Sequence, residues 1–371
     1  MTNRERALAV LRYQDYDRMP LVHFGFWEET IEKWRREGHI DDETAKNVYD
    51  GSENETKIAG MLGFDFNWSH TMGTNVDLLP AFEPELIETR PDGIQLVRNA
   101  YGVIELHKPG VVSIPAEVDH TLVDRKSWEQ EFLPRLQFSK ERIDFDAFLA
   151  VGDPAERENP LGFHVGSLFG KIRDWMGVEN ASYLYADDEP LYDEIINTLG
   201  NLVYDCVKAA LDTGAKFDYA HYWEDICFKN GPLVIPQVFR EKVGPHYKRI
   251  NALLHQYGLD IISLDCDGLI DSLLPIWLEN GVNTMFPIEV GTWNASIRPW
   301  REQYGRELRG VGGMNKTVFA YDYAAIDAEV DRLVSLVELG GYIPCPDHRI
   351  APDAKWENVQ YYCEQMRKKL G

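Results

Sequence analysis

The chain is short of positive charge. Its 371 residues carry 38 lysines and arginines against 61 aspartates and glutamates, a net charge of -23 at pH 7. A nucleic-acid partner needs a basic footprint on the protein, so that class is excluded. An anionic membrane surface is disfavoured for the same reason. Long hydrophobic runs are also missing: none approaches the roughly 20 residues of a membrane span. The N-terminus, MTNRERALAVLRYQDYDRMP, reads as a short amphipathic helix and a turn. It lacks the apolar core and small-residue cleavage site of a secretion signal. Cysteine is scarce, with five residues at 206, 227, 266, 345 and 363, no C-x-x-C and no even framework. Reduced thiols in a cytoplasmic protein are the expectation. The chain also lacks G-x-G-x-x-G after its first strand, G-x-x-x-x-G-K-[ST], G-x-S-x-G and H-E-x-x-H. Dinucleotide binding, P-loop chemistry and nucleophilic serine chemistry therefore have no support.

What is present is a large apolar share, 44%, with 12% aromatic residues, and no low-complexity tract or short repeat. Residues 1–371 are expected to form one domain. Short apolar segments alternate with helix-compatible ones. The strand-like segments are 19–26, 64–68, 162–167, 217–223, 260–266, 283–288, 308–313 and 341–345. Helical patterns fill much of the sequence between them, including 190–212, 236–257, 268–280 and 322–339. Eight strands alternating with helices predict a (β/α)8 TIM barrel. Residues 85–115 have a different texture, alternating residues broken at Pro91-Asp92-Gly93 and Tyr101-Gly102. That is a hairpin signature, so an antiparallel insertion is expected there.

A barrel carries its chemistry at the C-terminal ends of its strands. The fifth ends in LDCDG, residues 264–268. Side chains alternate along a strand, so Asp265 and Asp267 share a face and Cys266 takes the other. Two bare acids in a core are costly and call for a cation, a basic partner or a substrate. Taken alone, Asp267 also fits a helix cap, with Gly268 easing the turn. The eighth strand ends in IPCPDHRIAPD, where Pro344 and Pro346 stiffen the exit and hold His348 in place. Glu289 follows the sixth strand, Lys316 the seventh, and Glu224 and Asp225 the fourth, with His221 facing inward. One metal ion would account for Asp265, Asp267, Glu289 and His348 together. Zinc accepts histidine and carboxylate, and harder ions also suit oxygen-rich sets. Phe24, Phe26, Trp27, Tyr222, Trp223, Phe286 and Trp293 are aromatic neighbours fit to line a pocket for a flat substrate. His23 and His164 read as satisfied core histidines.

At these residues the chain resembles the uroporphyrinogen decarboxylase superfamily, a family of (β/α)8 barrels. The likeness runs through YDRMPLVHFGFW (16–27), GSLFGKIRDWMGVEN (166–180), WEDICFKNGPLVIPQVFREKVGPHY (223–247), LDCDGLIDSLLPIWLENGVNTMFPIEV (264–290), GVGGMNK (310–316) and GGYIPCPDHRIAP (340–352). True decarboxylases of the family carry an arginine-rich R-Q-A-G-R-Y segment after the first strand. Here the same place reads FGFWEET, whose acids would repel a polycarboxylate. Thiol-directed methyltransferases of the family bind zinc through H-x-C and a later Cys. By the resemblance, H-x-C falls on Asp265 and Asp267 and the later Cys on His348. An oxygen-rich set suits polarising an ether oxygen better than ionising a thiol.

The resemblance therefore implies the substrate-side methyltransferase of an O-demethylase system. Such an enzyme moves a methyl group from a methoxylated aromatic to the cobalt of a corrinoid protein. Cobalamin would come with that partner. Zinc on Asp265, Asp267, Glu289 and His348 would act as Lewis acid on the ether oxygen. Glu224, Asp225, His221 and Lys316 would position substrate or supply a proton. Phe26, Trp27, Tyr222 and Trp223 would hold the ring. The resemblance also implies homodimerisation. Two other readings stay open: decarboxylation of a small or tetrapyrrole carboxylic acid, and a non-catalytic corrinoid- or tetrapyrrole-binding barrel.

Overall fold

Each expected segment overlaps a barrel strand, and the second strand has a further half, Thr71–Gly73, beyond its expected segment. The computed structural model describes residues 1–109 and 115–371. The barrel strands, in chain order, are Val22–His23, Phe66–Asn67 continued by Thr71–Gly73, Gly162–Gly166, Tyr219–Trp223, Ile262–Asp265, Thr284–Phe286, Arg309–Met314 and Tyr342–Pro346. Strands covered by helices outside and side chains inside are buried on both faces. Ile262, Ser263, Leu264 and Asp265 are accordingly all buried.

Seven of these pieces form one parallel ladder, from Tyr342–Pro346 to Thr71–Gly73. The second strand is broken at Trp68–His70. Its first half pairs with Val22–His23 and its second half with Gly162–Gly166. The ring closes between the first and eighth strands at the Phe26–Ile350 bridge. There the Trp27 N–H donates to the Ile350 carbonyl at 3.2 Å and the Ile350 N–H to the Gly25 carbonyl at 3.0 Å.

The outer helices form for ordinary reasons. In Glu189–Leu211, Leu191, Ile195, Leu199, Leu202, Val203, Cys206 and Ala210 recur at three- and four-residue spacing and are all buried. Asp188 caps the helix by accepting the Leu191 N–H at 3.0 Å, and Pro190 sits in its first turn. Each fully buried leucine on that face contributes roughly 1.5–3 kcal/mol. Helices Tyr323–Val337 and Trp356–Leu370 repeat the pattern on the other side. Among the described residues no helix is long and apolar enough to cross a membrane, and all five cysteines are buried and free.

The insertion is larger than a hairpin. Glu85–Thr89, Gln95–Arg98, Val103–His107 and Ala116–His120 form a four-stranded antiparallel sheet in consecutive order. Gly93 closes the first turn onto the Arg90 carbonyl at 2.9 Å, and Gly102 the second onto Asn99 at 3.1 Å. The fourth strand, AEVDH, escapes a reading by hydrophobic alternation because it carries mostly polar residues and lies exposed. Residues 110–114 of the expected insertion lie outside the described residues.

Candidate functional site

The fourth and fifth strands deliver three carboxylates to one point. Asp265 ends its strand, and Asp267 follows across the turn at Gly268, whose φ of 86° suits glycine. Asp225 lies just past Trp223 in the left-handed region, at φ 46°. Short polar residues such as aspartate tolerate that conformation best. Its Oδ1 accepts the Asp267 N–H at 3.0 Å, which ties the two strand ends together. One oxygen from each of Asp225, Asp265 and Asp267 lies within 4.8 Å of the others.

Three carboxylates this close, taken from water, resist ionisation. Burial first, and then Asp267, push the Asp225 carboxyl up to about 6. Burial first, with Asp347 adding, pushes Asp267 up to about 6 against the pull of Lys316. Burial and its two neighbours hold Asp265 well above the usual carboxylate range. Asp267 Oδ1 is buried with no hydrogen-bond partner among the described residues. Its Oδ2 lies 3.3 Å from His348 Nε2.

His348 is held tightly. Its ring stacks on Trp27, centroids 5.3 Å apart and planes 17° apart, and its Nδ1 accepts the Arg349 N–H at 2.8 Å. A ring nitrogen that accepts carries no proton, so the hydrogen lies on Nε2, the nitrogen nearer Asp267. Burial, then Lys316, pushes His348 down to about 4, so it is neutral at pH 7. With Nδ1 accepting from Arg349 and the hydrogen on Nε2, His348 has no free lone pair to offer an ion.

The other expected site residues divide. Trp27, Trp223 and His221 line the same cavity as the three aspartates. Glu289 does not line it and stands behind Asp267. Its Oε2 accepts the Gly268 N–H at 2.5 Å and its Oε1 the Thr292 hydroxyl at 2.7 Å. Asp225 takes the place expected for Glu289. Lys316 also stands off the cavity, its ammonium balanced by Asp347, Asp267 and Glu289.

Three expectations are corrected. Glu224 is fully buried and points away from the cavity. Its carboxylate accepts the Ser167 hydroxyl at 3.0 Å, the N–H groups of Leu168, Phe169 and Gly170 at 2.8, 3.0 and 2.7 Å, and the Tyr247 hydroxyl. It anchors the start of helix Gly170–Asp187 instead of meeting substrate. Tyr222 shares that outward face and donates to Asn251 Oδ1 at 2.8 Å. Phe26 packs on His23, at 5.1 Å, and on Trp34 in the core.

Sequence reasoning missed Asp50 and Arg349 as cavity residues. Arg349 pairs with both oxygens of Asp50, at 2.9 and 2.5 Å, and ties the eighth-strand loop to a loop near the first strand. Gly25, at φ 87°, makes room: a Cβ there would meet Arg349 Nη1 at 2.5 Å and Asp50 Oδ1 at 2.7 Å. Arg349 had a signal, since it follows His348 directly. Asp50 had none, because its partner lies 299 residues away.

The cavity these groups enclose holds about 300 Å³ and is walled by Phe24, Trp27 and Trp223 opposite the acids. A second hollow of about 400 Å³ shares Thr71, His164 and Trp223 with it. A larger apolar hollow, about 440 Å³, lies between helix Gly170–Asp187 and residues 232–238, away from the acids. The donor set fits a divalent cation. Three carboxylate oxygens converge, one of them buried and unpartnered, and positive charge would relieve their repulsion.

The family model described as "Uroporphyrinogen decarboxylase (URO-D)" matches residues 158–369, more than half of the chain and all three aspartates. The chain belongs to the uroporphyrinogen decarboxylase family. Its fold is that of a methyltransferase from Methanosarcina mazei, at a TM-score of 0.59 and 15% identity over 99% of this chain and 98% of that one. A putative vitamin-B12 independent methionine synthase from Listeria monocytogenes is a more distant likeness, at a TM-score of 0.45 and 12% identity over 95% and 97% of the two chains. A B12-independent methionine synthase from Shewanella sp. W3-18-1 is more distant again, at 0.43 and 9% over 84% and 85%. No curated protein matches the chain.

Proposed function

We propose that this member of the uroporphyrinogen decarboxylase family is a methyltransferase that takes a methyl group from a methoxylated aromatic and passes it to the cobalt of a corrinoid held by a partner protein. The observation that carries this reading is the Asp225–Asp265–Asp267 cluster facing a cavity walled by Phe24, Trp27 and Trp223. Likeness of fold to the methyltransferase from Methanosarcina mazei is consistent with it. A divalent cation held by the three aspartates, zinc in this reading, would supply Lewis acidity at the ether oxygen and favour departure of the phenolate.

The protein's own groups set up that chemistry. Phe24, Trp27 and Trp223 give the ring flat apolar walls. His348 stands beside Asp267, its Nε2 3.3 Å from one carboxylate oxygen. Glu289 fixes the turn at Gly268 and so the position of Asp267. Without a cation, burial and then Asp225 and Asp267 make the Asp265 carboxyl harder to ionise. The acid-lined cavity of about 300 Å³ speaks against a tetrapyrrole with many carboxylates, which it would repel and is too small to enclose. The raised Asp265 and Asp267 carboxyls favour one second reading, proton donation in the decarboxylation of a small acid.

The test is a methyl-transfer assay with cob(I)alamin and a panel of methoxyphenols and methoxybenzoates, with and without chelator. Methyl-cobalamin forming only in the metal-loaded protein, and not in Asp267→Asn, supports the reading. Release of carbon dioxide from a small acid, without methyl transfer, would replace it with the second.

A further inference from the structure

His164 on the third strand and His221 on the fourth line the same cavity as the aspartates. Their rings stand edge to face, centroids 6.3 Å apart and planes at 84°. Hydrogen-bond bookkeeping places their protons. The Gly166 N–H donates to His164 Nδ1 at 2.9 Å. That nitrogen accepts, so the ring hydrogen lies on Nε2.

His221 needs one more step. The Trp68 indole N–H donates to Ser263 Oγ at 3.3 Å, and an indole can only donate. Ser263 is fully buried, and its other partner among the described residues is His221 Nδ1 at 3.2 Å. The serine hydrogen therefore goes to that nitrogen, because it would otherwise be buried without an acceptor. His221 then also carries its hydrogen on Nε2. Both rings are neutral at pH 7, since burial pushes them down to about 4 and about 3.

Other histidines with a capped Nδ1 set their Nε2 within ion-pair distance of a carboxylate, outside hydrogen-bond geometry. His23 lies 3.0 Å from Glu55, and His348 lies 3.3 Å from Asp267. The Nε2 atoms of His164 and His221 have neither a hydrogen-bond partner nor a carboxylate within 4.0 Å among the described residues, and both rings border the cavity. Buried donors are normally paired, so an open pair on a cavity wall marks where a ligand acceptor belongs.

We propose that His164 and His221 are a pair of neutral N–H donors that receives an uncharged oxygen of the substrate, a phenolic hydroxyl or a second ether, away from the oxygen that faces the aspartates. The assignment rests on the aromatic-ether reading of the same site. A carboxylate is a poor fit for these donors because Asp225, Asp265 and Asp267 share the cavity and repel it. An arene with one oxygen leaves both donors unpaired, and a site built to bond an oxygen rejects the analogue that lacks it.

The experiment measures binding by calorimetry to the full chain without any corrinoid, so no turnover is needed. The probes are anisole, the three methoxyphenol isomers and 4-methoxybenzoate. At least one methoxyphenol should bind about tenfold tighter than anisole, and tighter than the benzoate. The advantage should fall below about threefold in His164→Leu and His221→Leu, and return in the glutamine variants, whose amide N–H lies near the position of Nε2. Should the leucine variants fail to melt cooperatively, nitrogen NMR on the wild type takes their place. The two Nε2–H signals should then move with a methoxyphenol and stay with anisole. Equal affinity for all probes, tightest binding of the benzoate, or still signals would overturn the assignment. A hydroxyl advantage without methyl transfer keeps the donor pair and removes the methyltransferase reading. Methyl transfer without the advantage removes the donor pair alone.

Discussion

Asp267 reaches His348 Nε2 at 3.3 Å with one carboxylate oxygen and buries the other without a partner. Within one carboxylate, the first oxygen lies beside a histidine ring and the second is buried without a partner, next to Asp225 and Asp265. A purely structural acid would fill both oxygens, as Glu224 does two residues upstream of Ile226. The contrast between Asp267 and Glu224 separates a working acid from a supporting one.

The aspartates make the metal-free protein sensitive to pH. A carboxyl whose folded pKa is raised adds stability below its unfolded value, 3.8, and loses it as pH climbs through its folded value, about 6 for Asp225 and Asp267. The neutral histidines 164, 221 and 348 act in the opposite direction as pH falls. The informative quantity is therefore the difference between Asp267→Asn and wild type, both in chelator. Asp267→Asn should gain stability over wild type at pH 8, by at most ~3 kcal/mol, and little at pH 4. Thermal melts at the two pH values check it.

Glu224→Ala should unfold more easily yet keep its chemistry. The change strands five donors that now share one carboxylate, at a cost of about 3–5 kcal/mol. Denaturant melts read the loss, and kcat of the folded fraction should stay within about threefold of wild type. A collapse of kcat with unchanged stability would return Glu224 to the reaction.

Gly25 and Asp50 should be coupled. Gly25→Ala places a Cβ 2.5 Å from Arg349 Nη1 and 2.7 Å from Asp50 Oδ1, at a φ that disfavours alanine. It should cost about 1–3 kcal/mol. Asp50→Ala alone should cost about 1–3 kcal/mol by leaving half-buried Arg349 unpaired. In the double variant part of the clash is gone, so its cost should fall short of the sum. Denaturant melts of the four proteins measure this.

Two aromatic neighbours should behave differently. Trp27→Ala removes the stack on His348 and one cavity wall, so KM for an aromatic substrate should rise about tenfold with a small change in stability. Phe26→Ala removes a core ring and should cost about 3–4 kcal/mol while KM holds. Steady-state kinetics beside thermal melts distinguish them.

The eight strands were legible because parallel barrel strands are buried on both faces, and short apolar runs between helices have few other meanings. Period two also placed Asp265 and Asp267 on one face, and both line the cavity. The same period groups Glu224 with Tyr222 and Asp225 with His221, so the sequence already held the distinction between outward and inward acids. The break at Trp68–His70 was not legible, since pairing partners change there without a change of residue type. The pairing of Asp50 with Arg349 was hidden because a loop acid has no period and its partner is set by tertiary closure. The proton positions on His164 and His221 depend on Gly166, Ser263 and Trp68, which only the folded chain brings near.

The central claim is that Asp225, Asp265 and Asp267 hold a divalent cation. Elemental analysis of the protein as purified, beside an Asp265→Asn/Asp267→Asn double variant that melts cooperatively, tests it most directly. The account predicts about one ion per wild-type chain and less than a tenth of that in the double variant. Wild-type protein that takes up no zinc, manganese or magnesium, or a double variant that holds as much metal as wild type, would contradict it.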